Sequence, residues 1–437
     1  MTSTNPTPFQ AGGAETDTAP LRKLHLTIML VAGLAFALDL AEVMLGTGLS
    51  SVFSAAPHRL GPDQLGLLLG APFAGAAVGA PLFGWIAGRR GPVRTLAYCT
   101  LWLAVASVLT SLSGVPGQLT ATRFLAGISL GAYPPVMAAY LANIAPPRAS
   151  AALMFGACGI AYLVAPLALF ALRGLTPVQP MSIEAWRWVF GVIAALALAS
   201  SFAFRWLPEA PAWLERRQLT TEAEASLARL DRSGRAPKLL ESILARTGRT
   251  HSERPSRPVP GRTAAILAMF ALQPIAGVAF PLLTGPMLLA RGVSLTGSLN
   301  YVAIAAVGPA VGALTLSLFI DRMPRWSVVA CCAASMALLA LLFVLGSNPG
   351  AIAMAVLGYG VFNALETAAL FLFAAATFPL ERRAHITGVA FGLSRIVAAV
   401  APYAFLPLVR SGRSDLVISI IETTLVATIL LAAAVRD

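Results

Sequence analysis

The chain is a succession of long apolar runs separated by short polar turns. A helix that crosses a bilayer needs roughly 20 mostly apolar residues. On that criterion twelve spans are predicted, six near 24–48, 65–87, 94–112, 119–143, 150–172 and 186–207, and six near 263–290, 298–320, 327–346, 350–378, 385–409 and 415–435. Between the two sets lies 208–262, the one stretch rich in both signs of charge. There Trp213 to Leu230 and Lys238 to Arg246 carry helical apolar spacing and predict short surface helices. Arg254 to Pro260 reads as extended linker. Residues 1–23, dominated at their start by Thr, Pro, Ala and Gly, read as a disordered tail. No small-residue cleavage site follows the first run, which is too long for a signal-peptide core, so the first span is expected to remain. The expected organisation is a tail (1–23), a six-helix bundle (24–207), a linker with short helices (208–262) and a second six-helix bundle (263–437).

Composition agrees with a chain that dissolves in lipid: 57% of the 437 residues are hydrophobic and 11% charged, where a soluble chain carries about 25% charge. The net charge of +12 does not make this a nucleic-acid binder, because the arginines sit in short loops between spans rather than on a basic domain. Their distribution instead gives an orientation. Arg59, Arg173, Arg187, Arg291, Arg410 and Arg413 fall on one side, while most other loop cations fall on the side of the termini. That excess persists without the long central loop, so both termini are expected to be cytoplasmic. Cys99, Cys158, Cys331 and Cys332 lie inside spans as small apolar residues, with no CxxC pair. The four histidines form no cluster, so no metal site is expected. No phosphate-binding loop appears, so ATP is not expected to drive the protein, and no cofactor is predicted.

Two stretches tie the halves together. Gly84-Trp-Ile-Ala-Gly-Arg-Arg-Gly-Pro-Val-Arg94 turns between spans two and three, its glycines expected to allow close helix approach and its arginines to hold the turn in water. A weaker copy, Phe319 to Trp326, follows span eight. In span five, Phe155-Gly with Ile160 and Val164-Ala-Pro166 matches Phe391-Gly with Ile396 and Val400-Ala-Pro402 in span eleven. Two six-helix halves of this kind suit bundles that rock around a central site.

With these motifs on the page the chain resembles the major facilitator superfamily (MFS) from Leu24 to Val435. Gly84–Arg94 resembles its signature turn, and Arg123-Phe-Leu-Ala-Gly127 with Gly131 its helix-four arginine motif. Leu207-Pro-Glu-Ala-Pro-Ala-Trp-Leu214 resembles the sequence after helix six in the sugar-porter and metabolite:proton symporter branches, and Phe378–Ala384 through Gly392-Leu-Ser-Arg-Ile396 resembles the same branch before and within helix eleven. The resemblance implies an all-α membrane protein with twelve transmembrane helices in two six-helix pseudo-repeats. It also implies a conformational gate at Gly84, Arg89, Arg90, Gly91, Asp321 and Arg322. Departures are Gly88 where the family carries an aspartate, Met323 where it carries glycine, and Gln273 alone where hexose carriers have paired glutamines. The antiporter pattern of helix five is reduced to Ala161, Ala165 and Pro166, which weakens an efflux reading.

Charges within spans carry the chemistry, since each costs roughly 2.5–3.5 kcal/mol at a helix centre on insertion scales. Asp39 and Glu42, spaced i, i+3 in span one, face much the same side, and Ala37–Glu42 resembles the acidic pair of aromatic-acid:proton symporters. Arg123 in span four can partner them. These three are the expected proton-coupling set, against the plainer reading that one acid and the arginine merely hold the bundle together. Asn363 and Glu366 in span ten, Arg395 in span eleven and Gln273 in span seven form the expected substrate-binding set. Glu366 and Arg395 are expected either to pair or to hand Arg395 to a substrate carboxylate. Tyr133, Tyr162, Phe280, Phe362 and Tyr403 are candidate cavity aromatics. The function that follows is secondary active uptake, by alternating access, of a small organic metabolite, an organic anion among the candidates. Its partners are protons, that substrate and the lipid bilayer, with no nucleic acid and a monomeric state. Proton-driven efflux of a drug-like compound and a non-transporting membrane sensor are the alternatives. No nucleophile–base constellation suggests an enzyme.

Overall fold

The computed structural model describes residues 23–144, 150–230, 260–319, 324–377 and 380–435. Within them the chain is helical, and twelve helical segments are long and apolar enough to cross a membrane. The first half contains α1 (Lys23–Ser54), α2 (Pro62–Arg90), α3 (Pro92–Leu112), α4 (Pro116–Ile144), α5 (Ser150–Val164), α6 (Pro166–Leu175) and α7 (Ala185–Ala203). Two short helices follow, α8 (Pro211–Arg216) and α9 (Thr220–Leu230). The second half contains α10 (Pro260–Gly277), α11 (Ala279–Ala290), α12 (Leu295–Phe319), α13 (Arg325–Leu345), α14 (Pro349–Thr377), α15 (Leu380–Arg410) and α16 (Ser414–Ala434). Helices α5 and α6 together make one span, broken at Ala165–Pro166 because proline removes an amide donor and crowds the preceding turn. Helices α10 and α11 likewise make one, four residues after Pro274.

The expected Lys238–Arg246 helix, the 254–259 linker, the N-terminal tail, Asp321 and Arg322 lie outside the described residues. Several elements run longer than the hydropathy pattern sets them, though α7 stops at Ala203; α1 continues to Ser54, its last turn packing Phe53 against Trp186 of α7 (ring centroids 5.7 Å). Large apolar side chains stand open on the outer surface, Leu167 at 60% and Leu338 at 69% exposed. On a water-facing protein such patches would drive association; here they face lipid.

Each half repeats one internal tie. Tyr133 of α4 donates its hydroxyl to the Ala32 carbonyl of α1 (3.0 Å), and Tyr359 of α14 donates to the Ala276 carbonyl of α10 (3.1 Å). A buried phenol needs an acceptor, and in both halves a fourth-span helix finds it on the first-span helix. Tyr133 is thus fully buried packing rather than a cavity aromatic.

The halves meet along one seam. It lies at the end of the bundle opposite the N-terminus, where α1 ends and α2 begins. Ser51 and Ser298 share a 2.9 Å hydrogen bond across it, and Ser298 also reaches the Gly285 carbonyl at 3.3 Å. The backbone of α2 lies directly on α15: a Cβ added to Gly70 would sit 2.1 Å from the Ala399 carbonyl oxygen. One continuous hydrophobic core, including Leu49, Phe53, Leu65, Leu283, Met287 and Leu299, fills this end from both halves.

Candidate functional site

Below the seam a cavity of about 170 Å³ lies between the halves, lined by Met44, Thr47 and Phe73 from the first and Phe280, Tyr359 and Asn363 from the second, among others. Phe280 and Tyr359 stack with centroids 4.0 Å apart, which gives the cavity an aromatic wall. Of the expected cavity aromatics, Phe280 lines it. Phe362 does not; Tyr403 is 46% exposed on the surface and meets α2 through its backbone.

Asp39, Glu42 and Arg123 are each 1% exposed. Arg123 donates one guanidinium nitrogen to Glu42 Oε1 and the other to the Glu42 backbone carbonyl (2.9 Å), with Phe190 under its plane at 5.5 Å. The arginine therefore grips both the side chain and the main chain of α1. Asp39, one turn earlier, has no arginine bound to it; its Oδ1 has no partner, while the Ser129 hydroxyl lies within hydrogen-bonding reach of the carboxyl. Around it stand Cys99 of α3, Tyr133 and Ser129 of α4, the last donating to the Cys99 carbonyl (3.0 Å), and, from the other half, Arg395 of α15. Asp39 and Arg395 are outside ion-pair distance yet close enough for each to feel the other's charge. The two acids that spacing alone makes equivalent are thus divided: Glu42 is clamped by an arginine of its own half, and the cation whose charge reaches Asp39, Arg395, belongs to the other.

The expected Glu366–Arg395 pair does not form. Glu366 is buried beside Cys332 of α13 and Tyr359, and its Oε2 has no partner. Arg395 instead lies over the rings of Phe391 (4.3 Å) and Phe73 (5.9 Å), with its Nε unpartnered. The reason is geometric. Asn363 and Glu366 share a helix face in projection, but Asn363 donates to the Gly277 carbonyl of α10 (2.9 Å) at the cavity while Glu366 turns toward α13. Gln273 donates to Asn363 Oδ1 (3.3 Å) and Thr367 Oγ1 (3.0 Å), behind the cavity wall. So Asn363 lines the cavity, Gln273 hydrogen-bonds to it from behind, and Glu366 does neither.

At the N-terminal end, the turn between α2 and α3 is built differently from the expectation. A Cβ at Gly84 or Gly88 would meet nothing within 4 Å, so neither serves close packing. Gly91 is the required one: its φ of 93° is left-handed, and a Cβ there would strike the Glu209 carboxylate at 2.5 Å. Arg89 and Arg90 are exposed, Arg89 lying over Trp85 at 3.9 Å. Glu209 caps α3, accepting from the amides of Val93 (2.9 Å) and Arg94 (3.4 Å) as well as its own neighbour Ala210 (3.1 Å). Orphan amides and the positive end of a helix dipole favour a carboxylate at this position. Trp213 and Arg217 of the α8 region both donate to the Gly88 carbonyl (3.1 and 2.9 Å), Tyr140 to Pro208 (2.8 Å) and Ser226 of α9 to Glu209 (2.6 Å). No acid on the turn itself supplies this anchor; the signal for it lay in the Pro208-Glu209 motif after span six.

Burial pushes the Glu209 carboxyl up from its ordinary value, with the three amides and Arg94 pulling the other way. A folded carboxyl that holds its proton more tightly than the unfolded one adds stability below the unfolded pKa, and that contribution is lost as pH rises through the folded one. Thermal unfolding of the parent should therefore gain relative to Glu209→Gln as pH falls into the ordinary glutamate range. Glu209→Ala, which strands the amides, should cost about 1 kcal/mol, as lost helix caps do. Equal melting of the alanine and glutamine variants would remove Glu209 from this role.

Residues 29–402 match the Major Facilitator Superfamily, and the chain belongs to that family. It is 27% identical over 403 residues to the inner membrane metabolite transport protein YgcS of Escherichia coli, covering 88% of this chain and 85% of that one. It is 26% identical over 214 residues to the galactose-proton symporter of E. coli (strain K12), covering 49% of this chain and 44% of that protein. A partially occluded, inward-open structure of the E. coli xylose transporter XylE superposes with a TM-score of 0.80 at 16% identity, over 95% of this chain and all of that one. The fold is that of an MFS transporter, and the chain is an integral membrane protein whose relatives are transporters, not enzymes.

Proposed function

We propose that this protein is a proton-coupled symporter that takes up a small organic metabolite by alternating access, with Asp39 as the proton carrier. The observation that carries the reading is the division of the two span-one acids. An ionised carboxylate within a span is costly unless a cation balances it. Glu42 has Arg123 in its own half in every pose of that half; Asp39 has only Arg395, which belongs to the other half. Rocking the halves changes the counter-charge of Asp39 and leaves that of Glu42 alone. Asp39 is thus the acid whose protonation couples to movement, and the Arg123–Glu42 clamp keeps α1 in place while it does so. The galactose-proton symporter among its relatives supports proton coupling.

With both termini on the cytoplasmic side, the sealed seam at Ser51–Ser298 and Gly70–Ala399 faces outward and the cavity opens inward, as the XylE structure's own title states for that protein. The gate turn then moves as part of the first half. Efflux is the weaker reading, because metabolite transport proteins and a galactose-proton symporter recur among the relatives and the antiporter pattern of span five is reduced.

The test is uptake against exchange in proteoliposomes, with a substrate chosen by a thermal-shift screen of organic acids, amines and sugars. Asp39→Asn should abolish uptake driven by an imposed pH gradient and spare exchange across a membrane without one. Concentrative uptake at the parent level by that variant would end the proposal.

A further inference from the structure

A second cavity, of about 490 Å³, lies within the first half, away from the central one. It is a trench on the lipid-facing surface. Its floor is Ala37, Leu38 and Ala41 of α1 with Val189 and Ile193 of α7, all buried or nearly so. Its rims are Leu167 of α6 and Val192 and Leu196 of α7, each more than half exposed. Val164 of α5 and Ala168, Ala171 and Leu175 of α6 continue one wall at helical spacing, from the break at Ala165–Pro166 to the last turn of α6. Pro180 and Met181, in the connection from α6 to α7, line the far end. The trench therefore runs along the helices, from mid-span to the end of the bundle opposite the N-terminus.

Among the lining side chains only Trp188 carries a polar atom, and its indole N–H already donates to the Pro180 carbonyl (3.2 Å). Whatever lies here meets no free hydrogen-bonding side chain along its length. Water would find no polar partner either, and apolar cavities of this kind stay dry. Left empty, the walls would forfeit their dispersion contacts on one side. The filling is hydrocarbon. A second transmembrane helix, about 10–12 Å across with its side chains, is held off the recessed alanines by the large side chains on the rims. A hydrocarbon chain is narrower, and the bilayer supplies it at this depth.

We propose that the trench is a lipid site, in which one acyl chain of a phospholipid from the leaflet at the seam end lies on α1 between α6 and α7. The head group stays in the interface beyond Met181, and recognition is by the chain. The floor gives this chain a part in the protein's own packing. Ala37, Leu38 and Ala41 belong to the stretch of α1 that carries Asp39 and Glu42. Val189 and Ile193 flank Phe190 in sequence, the ring beneath Arg123. The chain thus fills the gap between α1 and α7 beside the turns that hold the Arg123–Glu42 clamp, and its loss loosens that contact.

The experiment is native mass spectrometry of the full-length protein in detergent, titrated with dioleoylphosphatidylglycerol, dioleoylphosphatidylethanolamine and dihexanoylphosphatidylglycerol. The two dioleoyl lipids should add with similar affinity, and the dihexanoyl lipid should not. Ala171→Trp places an indole in the trench. It should weaken the first dioleoyl adduct by about ten-fold, the loss expected when roughly two methylenes leave an apolar site. Leu338→Trp, on the lipid-facing side of α13, should leave that adduct unchanged. Dioleoyl lipid should also raise the melting temperature of the parent more than that of Ala171→Trp. Because the filled variant could misfold, the parent is mapped by itself in vesicles of dioleoylphosphatidylcholine doped with a phospholipid bearing a diazirine at the end of one acyl chain. The label should concentrate on Val164, Leu167 and Leu196. Affinity that follows the head group instead of the chain, equal adducts on the parent and Ala171→Trp, or label spread evenly onto Leu338 overturns the inference. So does a dimer mass that Ala171→Trp reduces to a monomer, which would give the trench to a second copy of the chain. None of these readouts involves transport, so their outcome is independent of the symport reading.

Discussion

Replacing Arg123 by leucine should cost about 3–5 kcal/mol, enough to unfold much of the protein at physiological temperature, because it leaves the Glu42 carboxylate buried and alone. The same change also removes the bond to the Glu42 carbonyl and the contact with Phe190. Glu42→Gln keeps an acceptor for the guanidinium but removes its counter-charge, so it too should destabilise the protein. The double variant Arg123→Leu/Glu42→Leu should recover a large part of the loss, as buried ion pairs replaced by apolar groups often do. A thermal-denaturation cycle over the four proteins measures the coupling. If the single losses simply add, the clamp is not a unit and Arg123 has some other duty.

The second large effect concerns the seam. Gly70→Trp should reduce uptake to background while leaving the protein folded, because the backbone of α15 occupies the space a side chain would need. An overpacked interface of this kind has to part, so the variant should rest with this end of the bundle open. Ser51→Cys reports it: Ser51 is fully buried in the closed seam. A membrane-impermeant thiol reagent added from outside should label the cysteine in the Gly70→Trp background and spare it in the parent. Unchanged protection together with unchanged transport would show that the seam does not open in the cycle.

Much of this architecture was legible in the chain itself. Twelve apolar runs of spanning length leave little freedom in fold class, since a lipid-exposed backbone must satisfy its own hydrogen bonds. The repeated motifs around Phe155 and Phe391 and the turn at Gly84–Arg94 show the two halves. The site was legible residue by residue but not in its pairings. Asp39, Glu42, Arg123 and Arg395 stand out because charge within a span is expensive. Which of them meet depends on how non-consecutive helices turn about their axes, and uniformly apolar spans carry no moment to reveal it. Glu366 shows the limit: three residues from Asn363, it faces a different neighbour. Phe73, which separates Arg395 from the cavity, had no mark in the sequence beyond being apolar. Glu209 was within a recognised motif, yet its role as the cap of α3 depends on a turn more than a hundred residues earlier.

The anchoring of α8 and α9 decides where the chain is mechanically divided. Through Glu209, Trp213, Arg217 and Ser226 these helices are stitched to the turn at Gly88–Arg94 and to one another, and Leu230 packs into the first half's core. Residues 208–230 of what the charge pattern marks as linker are therefore built onto the first six-helix bundle. A fusion or insertion made between Leu207 and Leu230 should therefore disturb the packing of the first six-helix bundle and not that of the second.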